Sequence, residues 1–283
     1  MLCIIYEEIY RELSLKKLLL LAILKLSVLS INHSYYPLEF ISDIENGISN
    51  EPLKTSIHDV LTRRHTRIRG SHDEYGCTNK GECYSQRKLS YKEAKKYLFG
   101  RIHLERDNTG EYFVKDVYCE IDYYSDGKVG RVGPNQVPNH NVVNCEHTWP
   151  QSQFNHHARY QKSDLHHLYP TNSRANSKRS SHAFGEVKTS RGIYRNCEGS
   201  KYENGKFEPP TSHKGNVARA MFYFSVRYNM DISSSVERTL KKWHELDPVD
   251  EAEMKRNQEI YLIQGNRNPF IDFPELASRI SNF

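Results

Sequence analysis

The apolar residues of this chain change their spacing several times along its 283 positions. From Leu53, the positions Leu53, Ile57, Val60, Leu61 and Ile68 recur at helical intervals, with Arg63, Arg64, Arg67 and Arg69 mostly on the other side. That pattern predicts a helix with a solvated basic face. Ser90-Tyr91-Lys92-Glu93 fits a capping box, and Gly100 after Tyr97-Leu98-Phe99 reads as the stop of a second helix. Residues 111–118 and 141–144 are β-rich runs, and the Gly and Pro residues between them mark a long loop. After a loop-like stretch over 186–213, three helices are predicted, at about 215–229, 235–246 and 248–264. The last has Asp247 as N-cap, Pro248 at its first position and Gly265 just past its end. There is no internal repeat, so the economical reading is one α+β domain from about residue 53 to the end.

The first thirty residues have a different character. Lys16-Lys17 precede an apolar run from Leu18 to Leu24, and after Lys25 the run resumes through Leu29. This reads as a signal peptide; an uncleaved anchor is the alternative, although a full span needs roughly 20 apolar residues. Residues 31–52 then form a polar arm or linker with Asn32-His33-Ser34 as a glycosylation triplet. Losing the leader removes four basic and three acidic groups, which lowers the net charge from +5 to +4. Such a balance suits a polyanionic partner without requiring one. The nineteen Tyr among 11% aromatic residues belong to a folded protein, not to a disordered tail.

An exported chain would keep five cysteines: Cys77, Cys83, Cys119, Cys145 and Cys197. An odd number leaves at least one thiol unpaired or intermolecular. Cys77 and Cys83 bracket a Gly-containing turn and are the easiest pair to close. Cys119 with Cys145 would join the two strand-like runs, but spacing does not fix the connectivity. No pair has the two-residue spacing of a structural zinc cluster.

Seven of the fourteen histidines fall between His140 and His182, where an even spread would give roughly two. Within this stretch Glu146-His147 stands before Thr148-Trp149-Pro150, and Asn176 follows on a predicted helix. A neutral imidazole can take a proton from water, whereas carboxylate and amide oxygens suit a hard cation. That division makes His147 a general base and Glu146 and Asn176 the metal ligands of a phosphodiester hydrolase. Adjacent strand residues face opposite ways, so both can reach one phosphate only if the strand ends or twists there.

The segments Cys145-Glu146-His147-Thr148-Trp149-Pro150-Gln151-Ser152, Ser163-Asp164-Leu165-His166-His167-Leu168-Tyr169-Pro170-Thr171 and Asn176-Ser177-Lys178-Arg179 resemble the endonuclease I family of secreted or periplasmic nucleases. The likeness continues through residues 214–223 and 264–272 and covers roughly residues 53–283. It implies a ββα-metal, or His-Me finger, nuclease core embedded in a mainly helical domain. It also implies cutting of DNA, often RNA too, with little sequence preference, leaving 5′-phosphate ends; a monomer with no stable protein partner is expected. One divalent cation is expected, Mg2+ first, with Mn2+ or Ca2+ as alternatives. By position, Glu146 matches the acidic ligand, His147 the base and Asn176 the helix-borne ligand. The family's phosphate-binding arginine is left open between Arg159 and Arg179.

The remaining residues of this stretch have other expected roles. Asp164, His166 and His167 are read as a supporting set, since neighbouring strand histidines do not easily share an ion. His156 and His157 are read as solvated, and Trp149 and Tyr169 as core or site walls. Seven basic residues against two acids from Arg174 to Lys201 suit phosphate contacts that read no sequence. Two other functions compete with the nuclease: a non-catalytic nucleic-acid-binding or decoy protein that keeps the fold, and a histidine-rich metal-binding protein.

Overall fold

The computed structural model describes residues 34–283; the leader and Asn32 of the glycosylation triplet lie outside the described residues. The fold is α+β, with the longest helix at its centre. This helix, α6 (Thr211–Tyr228), buries fourteen of its eighteen residues. A helix surrounded on every side has no polar stripe. Around it pack α2 (Asn50–Thr62), α7 (Ser234–Leu246) and α9 (Pro269–Asp272). Tyr35, Tyr36 and Phe40, from the amino-terminal arm, are buried in the same core. Phe40 sits on α1 (Leu38–Glu45). No helix among the described residues is long and apolar enough to cross a membrane.

The remaining structure is built from small sheets. Strands β1 (His65–Arg67), β2 (Glu74–Tyr75) and β3 (Glu82–Tyr84) form one, and β4 (Leu104–Arg106), β5 (Tyr112–Lys115) and β6 (Asp122–Tyr124) another. The third joins β9 (Ala183–Phe184), β10 (Lys201–Glu203) and β11 (Lys206–Glu208). Two strands, β7 (Val143–His147) and β8 (Leu168–Asn172), pair antiparallel, with Glu146 opposite Tyr169 and His147 opposite Leu168. Between them lies the short helix α4 (Ala158–Gln161), and directly after β8 comes α5 (Ser173–Arg179). Asn172 caps α5, its side chain accepting from the backbone N–H groups of Arg174 and Ala175.

Several expectations from the sequence are corrected. The first predicted helix stops at Thr62, because Arg63 is extended and His65–Arg67 pair with both β2 and β3; Ile68 lies beyond that strand. Helix α3 (Tyr91–Tyr97) has the capping box, with Ser90 Oγ accepting from Glu93 N and Ser90 N donating to Glu93. Gly100 does not end it. The chain runs on through a wider helical turn, Leu98–Ile102, in which Gly100 lies against backbone: a Cβ there would meet Asn135 N at 2.5 Å. The final long helix, α8 (Glu251–Gln264), starts later than predicted, with Asp250 as its N-cap. Asp247 is held elsewhere: its carboxylate accepts from Gly215 N and its carbonyl from Arg219. Gly265 does end α8 in the left-handed conformation at φ 82°. Residues 186–213 are not all loop, since β10 and β11 form a hairpin there.

Cys77 and Cys83 are joined, but Cys119 bonds Cys197, not Cys145. Cys145 is a buried free thiol. Its strand is occupied in pairing with β8, whereas Cys197 comes from the 186–213 segment to lie against Tyr118. The disulfide thus fastens that segment to the stretch carrying Tyr118, which also takes part in the site.

Candidate active site

Glu146 and His147 end strand β7, and Asn176 sits in the middle of α5. Together with Cys145, Gln151, Ser152 and Arg179 they line a cleft of about 310 Å³ that opens to solvent. Strand pairing and helix direction bring these three together across thirty residues of sequence.

Glu146 is almost fully buried. Its Oε1 accepts a 2.9 Å hydrogen bond from the Tyr118 hydroxyl and faces Arg179 Nε at 3.4 Å. Burial raises its carboxyl above the ordinary range, while Arg179 and Tyr118 act to lower it. Asn176 donates through Nδ2 to Asn144 Oδ1 at 2.7 Å and to the Cys145 carbonyl at 3.4 Å. Spending the amide nitrogen on the strand leaves the amide oxygen as its acceptor.

The orientation of His147 follows from one contact. Its Nε2 lies 3.1 Å from the Lys162 carbonyl, which can only accept, so Nε2 carries the hydrogen. Nδ1 is then the bare nitrogen, 3.3 Å from Gln151 Nε2. Burial, with His167 next, pushes the ring's pKa down to about 3. His147 is therefore neutral near pH 7, and its Nδ1 is an unprotonated acceptor that takes a hydrogen bond from Gln151 Nε2.

The two candidate arginines are placed differently. Arg159 is exposed on α4 and does not line the cleft. Arg179 lines it, yet Nη2 donates to the Thr148 carbonyl at 2.5 Å and Nη1 to those of His147 and Ser180. Its guanidinium clamps Glu146 and the strand behind it. Asp164, His166 and His167 sit on the inner side, on a short 3-10 turn and not on a strand. Asp164 accepts from the hydroxyls of Tyr223 and Tyr228 and from Gln264 Nε2. Burial would raise its pKa, but His166, Arg227, His167 and Gln264 hold it at about 2. The His167 ring meets that of His147 edge-on at 5.4 Å, while Nε2 of His166 faces the Asn266 carbonyl at 3.2 Å. His156 and His157 are exposed, and Trp149 stacks on Phe224 in the core.

Sequence reasoning missed Tyr118, Asn144, Gln151 and Lys162. Asn144 and Gln151 flank the Glu-His pair, so proximity could have suggested them. Tyr118 and the Lys162 carbonyl reach the site only through the fold. Among the described residues no three His, Cys, Asp or Glu side chains form a group able to hold a metal. A cation at this cleft would depend on one carboxylate with an amide oxygen, and those hard oxygen donors fit Mg2+ or Ca2+ better than Zn2+.

Comparison with known proteins gives the same direction. The family Endonuclease I matches residues 80–275, more than half of the chain. The extracellular ribonuclease of Bacillus subtilis (strain 168) is 35% identical over 156 residues, 48% of this chain and 53% of that protein. Endonuclease-1 of Buchnera aphidicola subsp. Acyrthosiphon pisum (strain APS) is 28% identical over 147 residues, covering 46% and 59%. An extracellular deoxyribonuclease of Aeromonas hydrophila is 24% identical over 179 residues, covering 54% and 79%. The chain thus spans little more than half the length of the first two relatives. With the match running through the cleft residues and well beyond them, this chain belongs to the endonuclease I family.

Proposed function

We propose that this protein is an exported, divalent-cation-dependent endonuclease that hydrolyses phosphodiester bonds of DNA and RNA with little sequence preference. Its catalytic unit is taken as residues 53–283 acting as a monomer, preceded by the arm and a cleavable leader. The hairpin of β7 and β8 followed by α5 supports reading the core as a ββα-metal, or His-Me finger, unit. The observation that carries the proposal is His147, neutral and with Nδ1 bare, in one cleft with Glu146 and Asn176. Relatives named for ribonuclease, endonuclease and deoxyribonuclease activity support nucleic acid as the substrate class, and names that include "extracellular" support export. Two disulfides suit an oxidising compartment.

In this reading Nδ1 of His147 takes the proton of the attacking water, while the Lys162 carbonyl fixes the ring plane. The negative charge of a bound phosphodiester raises the affinity of Nδ1 for that proton. Glu146 and Asn176 would hold the cation, Mg2+ first and Mn2+ or Ca2+ otherwise; when bound, it would relieve charge on the phosphoryl and leaving oxygens. Arg179 and Tyr118 keep the Glu146 carboxylate aimed at the cleft. Attack by water opposite the 3′ oxygen leaves 5′-phosphate and 3′-hydroxyl ends. Exposed Arg174, Lys188, Arg191 and Arg195 offer backbone phosphates a cationic surface without base contacts.

The test is plasmid nicking and RNA cleavage by the purified protein with and without EDTA, alongside His147→Ala. The expected result is EDTA-sensitive cleavage that falls by at least about a thousand-fold in His147→Ala while the circular dichroism spectrum is kept. Tight nucleic-acid binding with no cleavage would replace the nuclease with the decoy reading, and a fully active His147→Ala would remove the mechanism.

A further inference from the structure

Gln151 lines the catalytic cleft from a fixed turn. It opens the 3-10 turn Gln151–Gln153 directly after Pro150, and bonds from Gln153 N to the Pro150 carbonyl and from Phe154 N to the Gln151 carbonyl hold that turn. The residue is exposed, yet its Nε2 lies 3.3 Å from Nδ1 of His147 and donates to it. The imidazole does not need this contact to stay in place. Nε2 of the ring is held on the Lys162 carbonyl, and the rings of Tyr91, Phe154 and His167 stand around it at 5.6, 6.0 and 5.4 Å. An exposed glutamine loses side-chain freedom in making such a contact, and support of the ring does not account for it.

Building on the nuclease reading, we infer that Gln151 orients the attacking water. A water bound at Nδ1 takes the place that the Gln151 amide nitrogen holds in the free protein, so the amide turns aside when water enters. The last torsion of a glutamine side chain is broad and roughly two-fold, which makes that turn easy and brings Oε1 towards the water. Nδ1 then accepts one of the water's two hydrogens and Gln151 Oε1 the other, leaving an oxygen lone pair aimed at phosphorus. As the water oxygen bonds to phosphorus the bond to the 3′ oxygen breaks; one proton passes to Nδ1, the other stays on the new phosphate, and the 3′ oxygen leaves with a proton from solvent. Other groups lining the cleft are less suited, since Arg179 can only donate and Glu146 and Asn176 are committed to the cation. Among the described residues, Gln151 is the one cleft side chain bonded to the His147 ring. A carboxamide that orients water for attack on a phosphoryl group is known chemistry in other phosphoryl-transfer enzymes.

Three variants test this, assayed with cation on one DNA substrate and checked for folding by thermal melting. Gln151→Met, of similar length but without an amide, should lower kcat about a hundred-fold at unchanged KM, the lower end of what a positioned proton-transfer group contributes. Gln151→Glu keeps an acceptor at the same reach, so its kcat should exceed that of Gln151→Met. The double variant of His147→Ala with Gln151→Met should be no slower than His147→Ala alone, because groups that act as a unit lose their effect together. Unchanged or raised kcat in folded Gln151→Met, a loss confined to KM, a Gln151→Glu protein as slow as Gln151→Met, or losses that multiply in the double variant would each overturn the inference while leaving the nuclease reading intact. No cleavage of any substrate by the unaltered protein removes both.

Discussion

At the residue scale, Arg179 separates two roles that look alike in sequence. A phosphate-binding arginine must present its fork to solvent, but this one is 2% exposed and directed at Glu146 and three backbone carbonyls. Arg179→Met would leave the Glu146 charge buried without its partner. The expected loss is about 3–5 kcal/mol of unfolding free energy, measured by urea denaturation, together with weaker cation binding. A phosphate clamp would instead give a raised KM with unchanged stability. The Glu-His pair itself was legible because carboxylate and imidazole stand side by side in the sequence. Tyr118 was not, since nothing in a tyrosine 28 positions away signals which carboxylate its hydroxyl will meet.

At the scale of elements, local signals located helices better than they located helix ends. The capping box at Ser90 is fully local and formed as written. Asp247 and Asp250 are both competent N-caps, and the choice between them was made by α6, whose Gly215 and Arg219 engage Asp247. Asp250→Ala should therefore cost about 1 kcal/mol, seen as a lower melting temperature, because its carboxylate accepts from Glu253 N. Asp250 also starts the helix that carries Glu253. Arg219 and Glu253 form a buried ion pair between α6 and α8, so a frayed α8 start would be felt in the core. The pairing of Cys119 with Cys197 is of the same kind: residues 78 apart become neighbours only after the chain folds back.

For the whole molecule, buried histidines make stability depend on pH. His166 and His213 are pushed down to about 3 and His167 to about 4, in each case chiefly by burial. Below about pH 6.5 the unfolded chain protonates these rings while the folded protein does not. The unfolded state then binds more protons, so stability is full above pH 6.5 and is lost as pH falls towards 4 and 3. Asp164, held at about 2, works in the same direction lower down, whereas Glu146, Asp116 and Glu253, whose values are raised, oppose it. The expected loss is on the order of 1 kcal/mol per histidine per pH unit below 6.5, read from urea midpoints between pH 7 and 5. A flat midpoint over that interval would show that the rings protonate in place.

The sequence alone determined which segments line the candidate cleft and to which family the chain belongs. Glu146, His147 and Asn176, the caps, and the pattern of long helices at the carboxyl end are properties of short segments, set by spacing and side-chain chemistry. Tertiary structure decided which nitrogen of His147 is bare, that Arg179 and Tyr118 hold Glu146, and which cysteines join. Those outcomes depend on a carbonyl, a hydroxyl or a thiol supplied by distant parts of the chain, and packing, not local preference, fixes which of them meet.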